Sequence, residues 1–465
     1  MSRFLLSAAH KSSGKTTLSI GLCAALRARG LSVQPFKKGP DYIDPMWLSQ
    51  AAGRPCRNLD LYLMAADEIC SIYQQHASQA DVSLVEGNKG LYDGLTLDGS
   101  NSNAALTKLL DLPVVLVLDA RGMTRGIAPL ILGYQAFDRD IRFAGVILNN
   151  LGGSRHEAKL RAVIEHYTDV PVIGAVHHSD ELAIDERHLG LMPSNESAEA
   201  TARIAAIAGR VAAQVDLDKL LSLTALPETV RPQSSSPQFP QHAEAGENLR
   251  IGIARDRAFG FYYADDLDAL EAAGAELVPF DTLSDERLPE VDALFIGGGF
   301  PEMFAPLLEA NASLRADIRR ALAVGLPAYA ECGGLMYLAR TLTCTGGSYE
   351  MVGAIPGDVV MHARPVGRGY VHLEVMPDHP WAAGKGGDIR AHEFHYSSLD
   401  SLPPDSRYAY RVKRGHGIDG QNDGLLIGNL LASYTHLRSV GSCHWAERFV
   451  AHVRRCKLHP PEPTP

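Results

Sequence analysis

The sequence predicts an α/β protein of two three-layer domains, and three observations carry that prediction. Short continuous apolar runs bounded by turn residues alternate with stretches of helical spacing through the first half, as parallel strands buried on both faces require. The same alternation restarts at residue 249. Between the two series, "LPETVRPQSSSPQFPQHAEAGEN" (226–248) loses all periodicity and fills with Pro, Ser and Gln, the composition of a linker.

In chain order, "RFLLSA" (3–8), "VSLVEG" (82–87), "PVVLVLDA" (113–120), "FAGVILNN" (143–150) and "PVIGAV" (171–176) read as strands. Residues 15–29, 124–137 and 155–166 carry helical spacing, and 197–222 is Ala-rich and helical. After the linker, "LRIGIARD" (249–256), "AELVPF" (275–280), "DALFIGGG" (292–299) and "PAYAEC" (327–332) open a second α/β series. Beyond about residue 350 the pattern turns β-like and irregular. The expected boundaries are a first domain over 1–225, a linker over 226–248, a second domain over 249–450 and a flexible tail over 451–465.

Bulk properties bound the function. A chain of 465 residues exceeds one ordinary core. It is 46% hydrophobic and 21% charged, with a mean hydropathy of −0.07. A formal net charge of −10 argues against a broad polyanion-binding surface and leaves room for a local phosphate pocket. No apolar run approaches the roughly 18 residues of a membrane helix, and "MSRFLLSAAHKSSGK" is too short in its apolar part for a secretory signal. Seven cysteines without a CxxC pair point to reduced thiols. A cytoplasmic protein is expected.

Two stretches carry chemistry. "AAHKSSGKTT" (8–17) follows the first strand and fits GxxxxGK[ST], with Ala9 in place of the first glycine. Gly14 allows close backbone approach, Lys15 reaches the β/γ-phosphates, and the Thr16 hydroxyl suits Mg²⁺ at a helix N-terminus. The competing reading is a tight turn. Mg²⁺ needs further oxygen ligands. Asp41 and Asp44 stand beside Lys37 and Lys38 in "FKKGPDYIDP" (36–45), and Glu86 ends a strand in "LVEGNKGLYDG" (84–94). Asp41, Asp44 and Asp93 are equally of a type that shapes Gly/Pro turns.

In "PAYAECGGLMYLA" (327–339), Cys332 ends a strand and precedes Gly333 and Gly334, with Ala330 and Gly334 at the i±2 positions. Small residues there are the steric demand of a nucleophile elbow. Gly333, with Gly298 and Gly299 of "IGGGFPE" (296–302), can offer backbone N–H groups to an oxyanion. His436 in "LASYTHLRS" is a candidate base, with His392 and His395 of "AHEFHYS" (391–397) as rivals. The remaining cysteines lack this context and read as packing thiols.

Together, "SSGKTT", "KKGPDYIDP", "EGNKGLYDG", "GVILNN", "ERHLGL" (186–191), "GGGFPE", "AECGG", "AHEFHY" and "SYTH" occur in the order seen in one family, over nearly the whole chain. The sequence resembles the cobyrinic acid a,c-diamide synthases, glutamine-dependent amidases of tetrapyrrole side-chain carboxylates. The resemblance implies a dethiobiotin-synthetase-like P-loop domain joined to a class I glutamine amidotransferase domain. It implies Cys332 as glutaminase nucleophile and His436 as its base. It also implies a nucleotide site of Ser12, Ser13, Gly14, Lys15, Thr16, Thr17 and Lys37, and Mg²⁺ near Thr16, Asp41 and Glu86. Tyr42, Asp44, Arg364, Arg368 and His392 are the expected substrate contacts. ATP and Mg²⁺ are the cofactors; glutamine and a tetrapyrrole polycarboxylate are the partners, with a homodimer as an option and neither nucleic acid nor membrane.

Many class I glutaminases carry Glu two residues after the base, where this chain has Arg438, so the third triad member is unassigned. Asn88 and Lys89 replace the more apolar residues of corrinoid-acting relatives. The expected acceptor is a corrinoid; sirohaem or a sirohydrochlorin-type ring is the alternative with the same chemistry. Two further readings are a nucleotide-switched P-loop protein without catalysis and an ammonia-dependent ligase fused to a dead glutaminase. A switch needs no nucleophile elbow or oxyanion turn, and the presence of both Cys332 and His436 argues against the dead glutaminase.

Overall fold

The computed structural model describes residues 1–179, 184, 186–187, 190–197, 199–225, 249–381 and 387–459. They form two compact units. The expected linker, 226–248, and residues 460–465 of the expected tail lie outside the described residues.

The N-terminal unit runs β1 (Ser2–Ala8), α1 (Lys15–Ala28), β2 (Val33–Lys38), α2 (Ile43–Ala52), β3 (Arg57–Leu59), α3 (Ala66–Ala77), β4 (Val82–Glu86), α4 (Asn103–Leu110), β5 (Val114–Asp119), α5 (Ile127–Phe137), β6 (Phe143–Leu151), α6 (Ser154–Tyr167) and β7 (Val172–His177). A two-residue pairing of β8 (Glu186–Arg187) with β9 (Gly190–Leu191) precedes α7 (Ala200–Gln214) and α8 (Leu217–Leu223). The helical stretch expected over 197–222 is thus two helices, parted where Asp216 caps α8 through the Lys219 N–H.

The seven strands order as β3-β2-β4-β1-β5-β6-β7, all parallel. Register places Glu86, the last residue of β4, opposite Lys37 of β2 and Leu6 of β1. In such a sheet, ligands gather at the carboxyl ends of the strands. That edge is where the loops after β1, β2 and β4 emerge.

The C-terminal unit runs β10 (Leu249–Ala254), β11 (Phe259–Phe261), α9 (Ala264–Ala272), β12 (Ala275–Phe280), β13 (Ala293–Ile296), β14 (Gly298–Gly299), α10 (Ala305–Ala310), α11 (Ala312–Ala323), β15 (Ala328–Glu331) and α12 (Gly333–Leu338). Mostly antiparallel structure follows: β16 (Thr341–Cys344), β17 (Gly347–Glu350), β18 (Asp358–Met361), β19 (Gly367–Val375), β20 (Asp388–His395), β21 (Ser397–Asp400), β22 (Arg407–Arg414), β23 (Asn422–Ile427) and β24 (Leu430–Ser433), closed by α13 (Trp445–Leu458). The β16–β18 and β15–β24 pairs are parallel. A nine-stranded sheet orders as β12-β10-β13-β15-β24-β23-β22-β19-β20, parallel through β24 and antiparallel beyond.

Side chains alternate across that sheet. Ile296, Ala330 and Ala432 join a core with Leu335 and Tyr337 of α12, whereas Phe295, Tyr329 and Leu431 join one with Trp445 and Phe449 of α13. Two expectations need correction. The strand expected over 292–299 breaks after Ile296, because Gly298 and Gly299 leave the sheet to pair with β11. Residues 451–458 of the expected tail are helical, because α13 continues to Leu458 and buries His452 and Val453.

Candidate active site

At the phosphate end, Gly14 takes φ +83° immediately before α1, a conformation natural to glycine. A Cβ there would also meet Asn149 Nδ2 at 2.1 Å, and that amide donates to the Ser13 carbonyl at 2.9 Å. The Ser13 hydroxyl braces the loop from within by donating to the His10 carbonyl at 2.7 Å. Ser12 is exposed at φ +61° and Thr17 half-buried. Lys15 is buried, and burial together with the Lys37 charge lowers its pKa.

Below the loop, Glu86 is 0% exposed, and one oxygen takes two donors: Thr16 Oγ1 at 2.7 Å and Lys37 Nζ at 2.9 Å. Lys37 also pairs with Asp44 and lies 3.7 Å from Asp41. Burial alone would depress Lys37; the charges of Asp44, Glu86 and Asp41 outweigh it and hold its pKa well above the ordinary value. Asp44 reaches Thr16 Oγ1 at 3.2 Å. Burial opposes its ionisation too, yet Lys37 keeps its carboxyl below the usual range. Asp41 behaves otherwise: one oxygen accepts the N–H groups of Ile43 and Asp44 at the start of α2, and burial with the Asp44 charge pushes its pKa up to about 7.

At the thiol end, Cys332 has φ +47° and ψ −100°, a strained backbone for a residue with a side chain. Its N–H donates to the Ser433 carbonyl at 2.7 Å, tying the bend to β24. The close approach is made by Gly334, whose Cβ would stand 2.1 Å from the Ile296 carbonyl oxygen. A Cβ on Gly333 would come within 2.9 Å of the Gly299 nitrogen, and one on Gly298 within 2.7 Å of His436 Cε1. The three candidate oxyanion glycines therefore converge around Cys332 and His436.

His436 hydrogen-bonds to Cys332, and its pKa is raised to about 10: burial opposes the charge, but Cys332 and Glu331 overcome it. Its segment is positioned by buried Asp423 of β23, which accepts the Tyr434 and Thr435 N–H groups at 3.1 and 3.0 Å. An antiparallel bridge between His392 and His436 completes the support.

A "CobQ/CobB/MinD/ParA nucleotide binding domain" profile matches residues 7–191, and a "CobB/CobQ-like glutamine amidotransferase domain" profile matches 250–441. A cobyrinate a,c-diamide synthase of Magnetococcus marinus is 46% identical, covering 96% of this chain and 95% of its own length. One of Methanosarcina acetivorans is 44% identical over 94% and 92%, and one of Listeria innocua 39% identical over 94% and 96%. The chain belongs to the cobyrinate a,c-diamide synthase family.

For this family member, the structure gathers Ser13, Gly14, Lys15, Thr16, Lys37, Asp44 and Glu86 into one cluster. Asp44, expected at the substrate, reaches Thr16, while Asp41, expected on the metal, caps α2 with one oxygen and faces Lys37 with the other. Tyr42 is buried at the start of α2. Asp93 accepts the Gly90 N–H at 2.9 Å and shapes its turn, and Asn88 is locked to Asn103 through its backbone. Lys89 is exposed.

His392, expected at the substrate carboxylates, lies buried behind the base. It is 6% exposed, its ring stacks on His436 with centroids 5.0 Å apart, and burial with the His436 and Arg438 charges drives its pKa well below 6.5. The rival base His395 is committed elsewhere, stacked on Tyr434 at 3.9 Å with Nδ1 2.8 Å from the Ser397 carbonyl. Arg364 and Arg368 are exposed, Arg368 lying 5.1 Å over the Phe394 ring.

Sequence reasoning missed Glu331, which packs against His436. Its signal was present in "AEC", but consecutive strand residues normally point to opposite faces. Among the described residues no helix is long and apolar enough to cross a membrane.

Proposed function

We propose that this chain uses ATP and glutamine to amidate the a and c acetate carboxylates of cobyrinate. The observation that carries the reading is a thiol–imidazole pair at a strand-to-helix elbow in a chain whose other unit holds a lysine-bearing phosphate loop. Residues 1–225 act as the synthase half and 249–450 as the glutaminase half. The relatives' names favour the corrinoid over a sirohaem-type ring.

In the glutaminase half, the Cys332 thiolate attacks the side-chain carboxamide carbon of glutamine, with imidazolium His436 beside it. The oxyanion that forms is met by N–H groups of Gly333 and of the Gly298–Gly299 turn; one such donor is typically worth about 10²–10³ in rate. The C–N bond breaks, the His436 proton leaves with ammonia, and water then releases glutamate from the thioester. Raising His436 to about 10 keeps the imidazolium available at neutral pH.

In the synthase half, a substrate carboxylate attacks the γ-phosphate of ATP and ADP leaves. Ammonia attacks the acyl phosphate, phosphate departs, and the amide forms. Gly14 and the α1 N-terminus cradle the phosphates, while Lys15 and Lys37 neutralise charge on the transferring group. The residues fit Mg²⁺: Glu86 Oε2 is buried without a hydrogen-bond partner among the described residues, and Thr16 bonds the other oxygen of that carboxylate. Thr16 and Glu86, with Asp41 and the adjoining Asp44, would hold the ion, whose chemistry is further neutralisation of phosphate charge. Arg364 and Arg368 are proposed to meet peripheral carboxylates of the ring.

Mass spectrometry after incubation with ATP, Mg²⁺ and glutamine tests the reading, with cobyrinic acid, hydrogenobyrinic acid and sirohaem offered side by side. A corrinoid lighter by about two mass units supports it, each amidation replacing a hydroxyl by an amino group. Amidation of sirohaem alone moves the acceptor, and ATP hydrolysis without amidation of any ring overturns the synthase assignment.

A further inference from the structure

Given the amidotransferase reading, we propose that Glu331 is the positioning carboxylate of the glutaminase, taking the place of the acidic residue found two positions after the base in many class I enzymes. Glu331 is 3% exposed and its Oε2 lies 3.4 Å from His436 Nδ1. Its other oxygen is saturated by the Leu437 N–H at 2.9 Å and the Tyr329 hydroxyl at 2.5 Å. Oε2 is thereby left for the imidazole, and the carboxylate is clamped to the backbone of the residue after the base.

Tyr329 is itself immobilised, its ring stacked on Phe295 with centroids 5.5 Å apart and packed on Trp445 at 4.9 Å. Tyr329 and Glu331, two apart on β15, share a face, as strand geometry requires. The elbow is what lets Cys332, the very next residue, reach the same imidazole: at φ +47° the chain has left the strand. The position that carries Glu elsewhere is otherwise employed. Arg438 is 1% exposed, donates to Asp265 at 2.8 Å and lies 4.7 Å over the Tyr263 ring.

A carboxylate this deep needs a charged or hydrogen-bonded counterpart, and imidazolium His436 supplies one. Other titratable groups facing the pair are His392 from β20, Arg438 and Cys443 from the segment after β24, Asp266 from α9, Tyr262 before it and Tyr410 from β22. Asp266 is spoken for by the Ser439 N–H and Trp445 Nε1, and His392 is neutral. Among the described residues, Glu331 is the carboxylate whose ion pair with the base is seen, at 3.4 Å.

The competing account is that Glu331 only braces Leu437 and Tyr329. Glu331→Gln separates the two, since glutamine keeps the size and one acceptor oxygen while removing the charge. Glutamine hydrolysis is measured in Glu331→Gln, Glu331→Asp and Tyr329→Phe, alongside ATP-dependent amidation with ammonium chloride and Cys332 alkylation by iodoacetamide. Glu331→Gln should lower kcat for glutamine by about 10²–10⁴, the range of general acid–base assistance, with KM within about twofold. Glu331→Asp should recover part of that rate and Tyr329→Phe should lose less than Glu331→Gln. Ammonia-driven amidation should persist. Alkylation of Cys332 at pH 7 should fall about tenfold in Glu331→Gln. An unchanged kcat, or equal loss of ammonia-driven amidation, overturns the proposal. A wild-type protein that does not hydrolyse glutamine overturns the amidotransferase reading and the proposal with it.

Discussion

Asn149 occupies the space that a side chain on Gly14 would need: its Nδ2 stands 2.1 Å from the Cβ position and donates to the Ser13 carbonyl. The end of β6 therefore holds the phosphate loop open, and the glycine is demanded by its φ of +83° and by this neighbour. Gly14→Ala should weaken binding of a fluorescent ATP analogue more than about tenfold, the loss of one good charge-assisted contact or more. Glutamine hydrolysis by the separate centre should survive, and ATP-analogue titration checks the first claim.

Lys37 is the cation on which Glu86 and Asp44 depend. Lys37→Met should cost about 3–5 kcal/mol, because breaking a buried pair leaves an uncompensated charge. The double variant Lys37→Met/Glu86→Gln should be less destabilised than the two single losses summed. Urea unfolding, following the N-terminal unit, measures both.

The elbow tolerates nothing larger at its inner corner. In Gly334→Ala the new Cβ would stand 2.1 Å from a backbone oxygen, which cannot swing aside as a side chain can. A loss of about 1–3 kcal/mol or more is expected, as for other overpacked sites, together with a fall in iodoacetamide reactivity of Cys332. Calorimetry and alkylation kinetics read the two effects.

His436 links stability to pH. Its pKa is about 10 in the folded protein against an ordinary 6.5, so the folded state holds the proton more tightly. The stabilisation is fully present below pH 6.5 and is lost as pH rises through 10. The stability difference between wild type and His436→Gln should therefore shrink across that window, in denaturant unfolding from pH 6 to 10.5. A difference that grows with pH would contradict the assignment.

Placing an acid two residues after the base should not improve this enzyme. Arg438→Glu would set a buried carboxylate against Asp265, the present partner of Arg438, and near Asp266, whose own carboxyl burial pushes up to about 7. The variant should unfold at lower temperature and show no gain in glutamine hydrolysis. A higher kcat would mean that Arg438 blocks, rather than replaces, an orienting acid.

Several features were legible because short-range chemistry dictates them. The α/β alternation, the phosphate loop after β1 and the bend at "AECGG" depend on apolar periodicity and on glycines where Cβ atoms would collide. β2, "VQPFKK", was not legible, since its two lysines look solvated until the fold buries them. Lys37 goes to Glu86 and Asp44, and Lys38 to Asn88 and Asn101. Burial lowers Lys38 to about 8, a cost that no local pattern announces.

The sequence by itself determined which residue types were on hand: a thiol at an elbow, a lysine and threonine at a phosphate loop, histidines in reach of both β strands and turns. Only the tertiary structure decided among them. It set His436 beside Cys332 and packed His395 on Tyr434, buried His392 against His436, brought Asp44 rather than Asp41 to Thr16, and placed Glu331 Oε2 3.4 Å from the His436 imidazole. The reason is that each choice rests on pairing between distant segments. Glu331 meets His436 because β15 and β24 run side by side in parallel register, Glu331 opposite Ser433, a relation that no window along the chain contains.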